Sequence, residues 1–145
     1  MTTQPSDVLL AALDELPAEL AQRTAILSAD DARDLRARAT RAFTDGTTPS
    51  VRTDALVGDA QVTCEDSWKL VEEFDAAGPV VLFTNRRDGE TMVELPSIGE
   101  AIAAIGRMPR FDFYLVDRAC TYLFAADEYE TLFGCGTAAA YVSKL

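Results

Sequence analysis

The chain contains no histidine. That absence removes a Ser/His/Asp triad, a Cys/His dyad and the usual zinc sites, because each needs an imidazole as base or ligand. Cysteine is scarce too. Cys64, Cys120 and Cys135 make an odd set with no CxxC spacing. Such a set does not build a disulfide framework and suits a reducing cytoplasm. A cysteine nucleophile here needs another base, or a helix N-terminus, to lower its pKa. The pattern puts Cys120 in a strand and Cys135 between glycines, so they read as structural thiols. Neither a metal nor any other cofactor is expected.

Positive charge is also short. The 13 basic residues face 24 acidic ones, for a net charge of −11. A nucleic-acid binder needs a basic footprint to displace counterions, and an anionic membrane surface repels a chain like this one. Nucleic acid and membrane are therefore not expected partners, whereas a basic protein is. No apolar run approaches the roughly 20 residues that cross a bilayer. The opening "MTTQPSDVLLAALDELPAEL" lacks a basic n-region, and Asp14 and Glu15 interrupt it, so it does not read as a signal peptide. A cytoplasmic protein is expected.

What is present is enough for one domain. The chain has 145 residues, 48% of them hydrophobic, which can bury a core. Residues 1–6 read as a loose start. Leu9, Leu13, Leu16 and Leu20 follow at helical spacing, with Pro17 kinking that helix or opening a second one. Ser28 with Asp31 resembles a capping box for a helix over Asp30 to Phe43. That helix turns Ala32, Leu35, Ala39, Ala42 and Phe43 to one side. Its arginines, Arg33, Arg36, Arg38 and Arg41, interleave with acids as on a surface laced with ion pairs. Residues 44–63, punctuated by Gly46, Pro49 and Gly58, read as a long loop with room for a short strand.

Thr63 with Asp66 resembles a second cap, for a helix from Glu65 to about Ala76. Trp68, the single tryptophan, sits beside its Leu70/Phe74 face. "VVLF" (Val80 to Phe83) reads as a buried strand, "NRRDG" as a turn, and "ETMVEL" as a returning strand. Ser97 with Glu100 caps a helix carrying Ile98, Ile102 and Ile105. From Phe111 to Gly136 three strands alternate, joined by turns at Asp117-Arg118-Ala119 and Asp127-Glu128. The middle strand is apolar on both faces, so it belongs inside a sheet. "GCGT" (Gly134 to Thr137) lacks the third glycine of a dinucleotide fingerprint and the lysine of a P-loop, and reads as a strand-ending turn. The fold expected is α+β: N-terminal helices packed on an antiparallel sheet of about four to five strands, ending in a β-meander.

Charge and aromatic residues mark the candidate partner-binding surface. Asp127, Glu128 and Glu130 crowd one turn, where like charges repel one another. Tyr129 between them is an amphipathic ring of the kind favoured at interfaces. Glu72, Glu73 and Trp68 form a second acidic and aromatic group on the preceding helix.

The order Trp-containing helix, "VVLF" strand, short helix, "FYLVD" strand and "TYLFAADEYETLFGCG" hairpin resembles small bacterial proteins of largely unassigned function. Several such families look like immunity proteins of polymorphic toxin systems. The resemblance spans Trp68 to Gly136. In those relatives the turn corresponding to Asp127 to Glu130 is often histidine-rich, whereas here it reads "DEYE", so no site residue is carried over. The resemblance implies a non-enzymatic inhibitor that binds a partner protein, such as a basic toxin. The alternatives are a small adaptor or regulatory interaction domain, and an enzyme working through carboxylates alone.

Overall fold

A computed structural model describes residues 7–145; the expected loose start lies outside the described residues. Seven strands form one sheet, antiparallel at every pairing: β1 (Ala25–Ile26), β2 (Ala60–Thr63), β3 (Val80–Phe83), β4 (Met92–Leu95), β5 (Phe113–Val116), β6 (Tyr122–Ala126) and β7 (Thr131–Gly136). Their spatial order is β1-β4-β3-β5-β6-β7-β2. The five inner strands are those expected, with β5-β6-β7 as the meander. The sheet exceeds the expected four to five strands because a short strand is added at each edge. β1 is only two residues long, both exposed, and β2 alternates half-buried and exposed residues within the 44–63 stretch. Neither presents an apolar run that a sequence pattern can register.

The helices are α1 (Val8–Leu13), α2 (Ala18–Gln22), α3 (Ala29–Phe43), α4 (Ile98–Ile105) and α5 (Thr137–Ser143). Pleating sorts the sheet's side chains by twos. Val80, Leu82, Leu115 and Phe124 face α1, α4 and α5 in one core. Val81, Phe83, Tyr114 and Leu123 face α3 in a second core. Layers on both faces explain why β3, β5 and β6 are apolar throughout. Fully burying each such aliphatic or aromatic side chain is worth about 1.5–3 kcal/mol.

Two helix starts follow their sequence signals, and a third has a cap not singled out in the sequence. Ser28 Oγ accepts from the Asp31 amide at 3.1 Å, and Ser97 Oγ from the Glu100 amide at 3.2 Å. Asp7 Oδ1 accepts from the Leu10 amide at 3.0 Å, capping α1. Pro17 is the residue just before α2 rather than its first.

Two local expectations are corrected. The helix expected over Glu65 to Ala76 is a 3-10 coil over Ser67–Glu73, and Thr63 does not cap it. Thr63 is the last residue of β2, its hydroxyl 2.9 Å from that of Thr131, and the Cys64 amide donates to Glu130 O. Pairing with β7 therefore persists up to the turn, and Asp66 reverses the chain at φ 53°. On α3, Ala42 is exposed and Arg36 is buried, the opposite of the expected face. Arg36 lies four residues after Ala32 and three before Ala39, so the helical repeat carries it onto the buried stripe.

At the sheet's end the chain passes from β7 directly into α5. A Cβ on Gly134 would stand 2.5 Å from Val142 Cγ2, and one on Gly136, at φ 63°, would collide with the Thr121 carbonyl. The "GCGT" glycines thus let α5 fold back onto its own strand.

Candidate functional site

The β6–β7 turn is built by its own carboxylates. Asp127 Oδ1 accepts from the Tyr129 and Thr131 amides, each at 3.0 Å, an Asx-type turn. Glu130 adopts φ 61°. Its carbonyl accepts from Ser67 Oγ at 2.7 Å, and its Oε1 from the Asp66 amide at 3.3 Å and Arg110 Nη2 at 3.2 Å. Arg110 also reaches Asp66 Oδ1 at 2.9 Å. Two of the turn's three carboxylates therefore hold the turn and tie it to the 3-10 coil. Glu128 and Tyr129 are left exposed, with Tyr129 showing 75% of its surface.

Beside this turn lies a groove of about 470 Å³. Its floor is apolar, formed by Trp68, Ile105, Met108, Phe111 and Phe113. The Trp68 indole lies across Gly106, where a Cβ would stand 3.5 Å from the ring. Trp68 Nε1 is buried and has no hydrogen-bond partner among the described residues. The rim carries Asp88, Asp112, Asp127 and Glu128 with Arg87 and Arg110. Arg110 is already paired with Asp66 and Glu130. The uncommitted charge at the mouth is thus predominantly negative.

Asp112 reports that charge. Its carboxyl is pushed above the ordinary aspartate range by burial first, with the Glu128 and Asp127 charges adding. A backbone hydrogen bond from Glu128 and the 3.4 Å contact with Asn85 Nδ2 only partly oppose this. Asn85 is fixed in turn by Tyr114, whose hydroxyl donates to Asn85 Oδ1 at 2.6 Å.

Of the sequence-derived residues, Trp68, Asp127 and Glu128 meet on this groove. Glu130 stands behind it through Arg110, and Tyr129 projects from the same turn. Glu72 and Glu73 are exposed on the 3-10 coil and do not line the groove. Asp112, Met108 and Phe111 were not singled out by the sequence. An acid between two phenylalanines at the head of a buried strand, "FDF", was the one available signal for Asp112.

Among the described residues no three His, Cys, Asp or Glu side chains are placed to share a metal ion. Burial pushes the Cys135 thiol up to about 12 and raises Cys120 as well, the reverse of what a nucleophile needs. Cys64 is exposed. No helix among the described residues is long and apolar enough to cross a membrane. A scan against protein-family models finds no match to the chain, and searches of curated proteins and of solved structures find none either.

Proposed function

We propose that this chain is a non-enzymatic inhibitor that binds a partner protein, in the manner of a cytoplasmic immunity protein neutralising a basic toxin. The observation that carries the reading is the groove beside the β6–β7 turn: an apolar floor under a rim of carboxylates. Such a site suits a polypeptide loop that offers an apolar side chain beside lysine or arginine. The apolar side chain fills the floor over Trp68, and the cation relieves the repulsion among Asp112, Asp127 and Glu128. Rim charges act mainly on encounter, by steering a cationic partner and raising the association rate. Tyr129 and Trp68 are residue types that dominate binding energy where they are packed against a partner.

The test is binding kinetics with the product of the adjacent gene. The double variant Glu128→Gln/Tyr129→Ala leaves the hydrogen bonds of Asp127 and Glu130 intact, so it perturbs the surface alone. Slower association with a flatter salt dependence, and an affinity loss of about tenfold or more, is the expected outcome. Wild-type rates and salt slope would remove the groove from consideration.

A further inference from the structure

A second cleft, of about 450 Å³, lies between the first half of α3, the β1 edge of the sheet and the segment leading into β4. Its wall contains Arg36, which is only 7% exposed. Arg36 Nη1 donates to the Thr84 carbonyl at 3.2 Å and Ser50 Oγ at 3.4 Å, and its Cζ stands 5.1 Å from the centre of the Phe83 ring. Nη2 is buried and has no partner among the described residues. Arg36 forms no ion pair among the described residues. The two carboxylates whose charges reach it also line the cleft but are held by other groups: Glu90 by Arg86 at 3.3 Å, and Asp7 by the Thr91 amide, the Thr91 hydroxyl and the Leu10 amide. A buried cation with no directly paired carboxylate is costly, and proteins rarely retain one. In a chain with 24 acidic residues the missing partner is conspicuous.

The cleft supplies the rest of an anion site. Arg33, paired with Asp30, and Arg86, paired with Glu90, stand at its mouth in exposed ion pairs that an incoming anion can displace, while Ile26, Leu27 and Pro49 line an apolar side. We propose that this cleft binds a small organic anion, a carboxylate or phosphate group carried on a short apolar body. The oxyanion sits between Arg33 and Arg86, facing the charge of Arg36, and the apolar body lies against Ile26 and Leu27. Nη2 is shielded from water, so the exposed arginines meet the anion first and Arg36 supplies charge from behind. The volume matches ordinary small-molecule sites, which run from about 300 Å³ upward. Burial, the largest influence on Arg36, weakens its hold on its proton, Glu90 opposes that, and Arg86 adds to it. A bound anion removes the imbalance.

The experiment is calorimetric titration of the full chain with hexanoate and with hexyl phosphate, at matched ionic strength, against hexanol as the neutral control. Binding of either anion, with none of hexanol, is the expected result, and the stronger of the two identifies the headgroup. Arg36→Met removes the charge behind the anion while filling much of the same space, and should weaken binding about threefold to fivefold. Should that variant fail to fold, Arg86→Ala changes an exposed residue and should weaken binding about threefold to fivefold. Glu90→Gln removes a competing carboxylate and should tighten binding about threefold. The proposal is overturned if neither anion binds beyond the hexanol control. It is equally overturned if binding is unchanged in Arg86→Ala and in Glu90→Gln.

Discussion

The groove beside the β6–β7 turn and the cleft under α3 handle charge in opposite ways. In the groove, Glu128 stays exposed, Asp112 is only partly buried, and two of the turn's three acids are satisfied by neighbouring amides and by Arg110. In the cleft, a single guanidinium is taken out of water with one nitrogen left unpartnered among the described residues. The rim is inexpensive to maintain, because exposed charges interact weakly through water. The buried arginine carries a desolvation cost that hydrogen bonds to one carbonyl and one hydroxyl only partly offset. Charge density at a surface and charge buried at one point are different kinds of functional signal.

The largest effect should come from the buried side. Arg36→Ala leaves the Thr84 carbonyl and Ser50 without a donor and opens space over Phe83, so a loss of about 2–4 kcal/mol is expected. Urea denaturation at constant slope measures it. Arg36→Met fills the space without the charge and should lose much less. A Met variant as unstable as the Ala variant would show that the charge itself stabilises the fold, and the contrast would collapse.

A middle-sized effect separates the acids of the turn. Asp127→Ala removes two amide hydrogen bonds and should cost about 1 kcal/mol, whereas Glu128→Ala should stay within about 0.5 kcal/mol. Equal values in thermal melts would mean that the turn does not depend on its Asx geometry.

The smallest effect concerns Asp112. Its carboxyl is raised, so the folded chain keeps that proton to a higher pH than the unfolded chain does. Stability is therefore lost as pH rises from the ordinary aspartate value of about 4 through the folded value, and the penalty persists above it. Asp112→Asn should be slightly more stable than wild type at pH 7, and the difference should vanish near pH 3, below both values. A variant less stable at both pH values would mean that hydrogen bonding at Asp112 outweighs crowding by Asp127 and Glu128.

Legibility in the sequence followed the same division. Strands apolar on both faces, such as Val80–Phe83 and Tyr122–Ala126, were readable because two covered faces leave a continuous apolar run. Ser28 and Ser97 were readable because a cap acts within three residues of itself. β1 was not, and β2 was legible only as room for a short strand within residues 44–63, since their pairing is decided by β4 and β7, distant in the chain. The same holds at Thr63, where a local capping signal lost to a cross-strand hydroxyl contact. At the site, Asp127 and Glu128 were visible as a charge run. Asp112, Met108 and Phe111 join them only through folding, since no spacing along the chain brings them together. Arg36 was read as one of a solvated row, because a lone arginine on the buried stripe looks the same in sequence as its exposed neighbours.

The order of strands also bears on how the chain acquires its shape during synthesis. All five inner strands lie between Val80 and Gly136, while both edges and α3 come from the first 63 residues. Leu35 and Phe43 pack chiefly on strands made later, and β2 pairs only with β7, the last strand to emerge. The N-terminal segment therefore leaves the ribosome with few partners, the Thr44–Leu56 bridge and Val51 among them. Its apolar stripe must wait for the sheet, so the interval before Gly136 emerges is when this protein is most exposed to chaperones and to self-association.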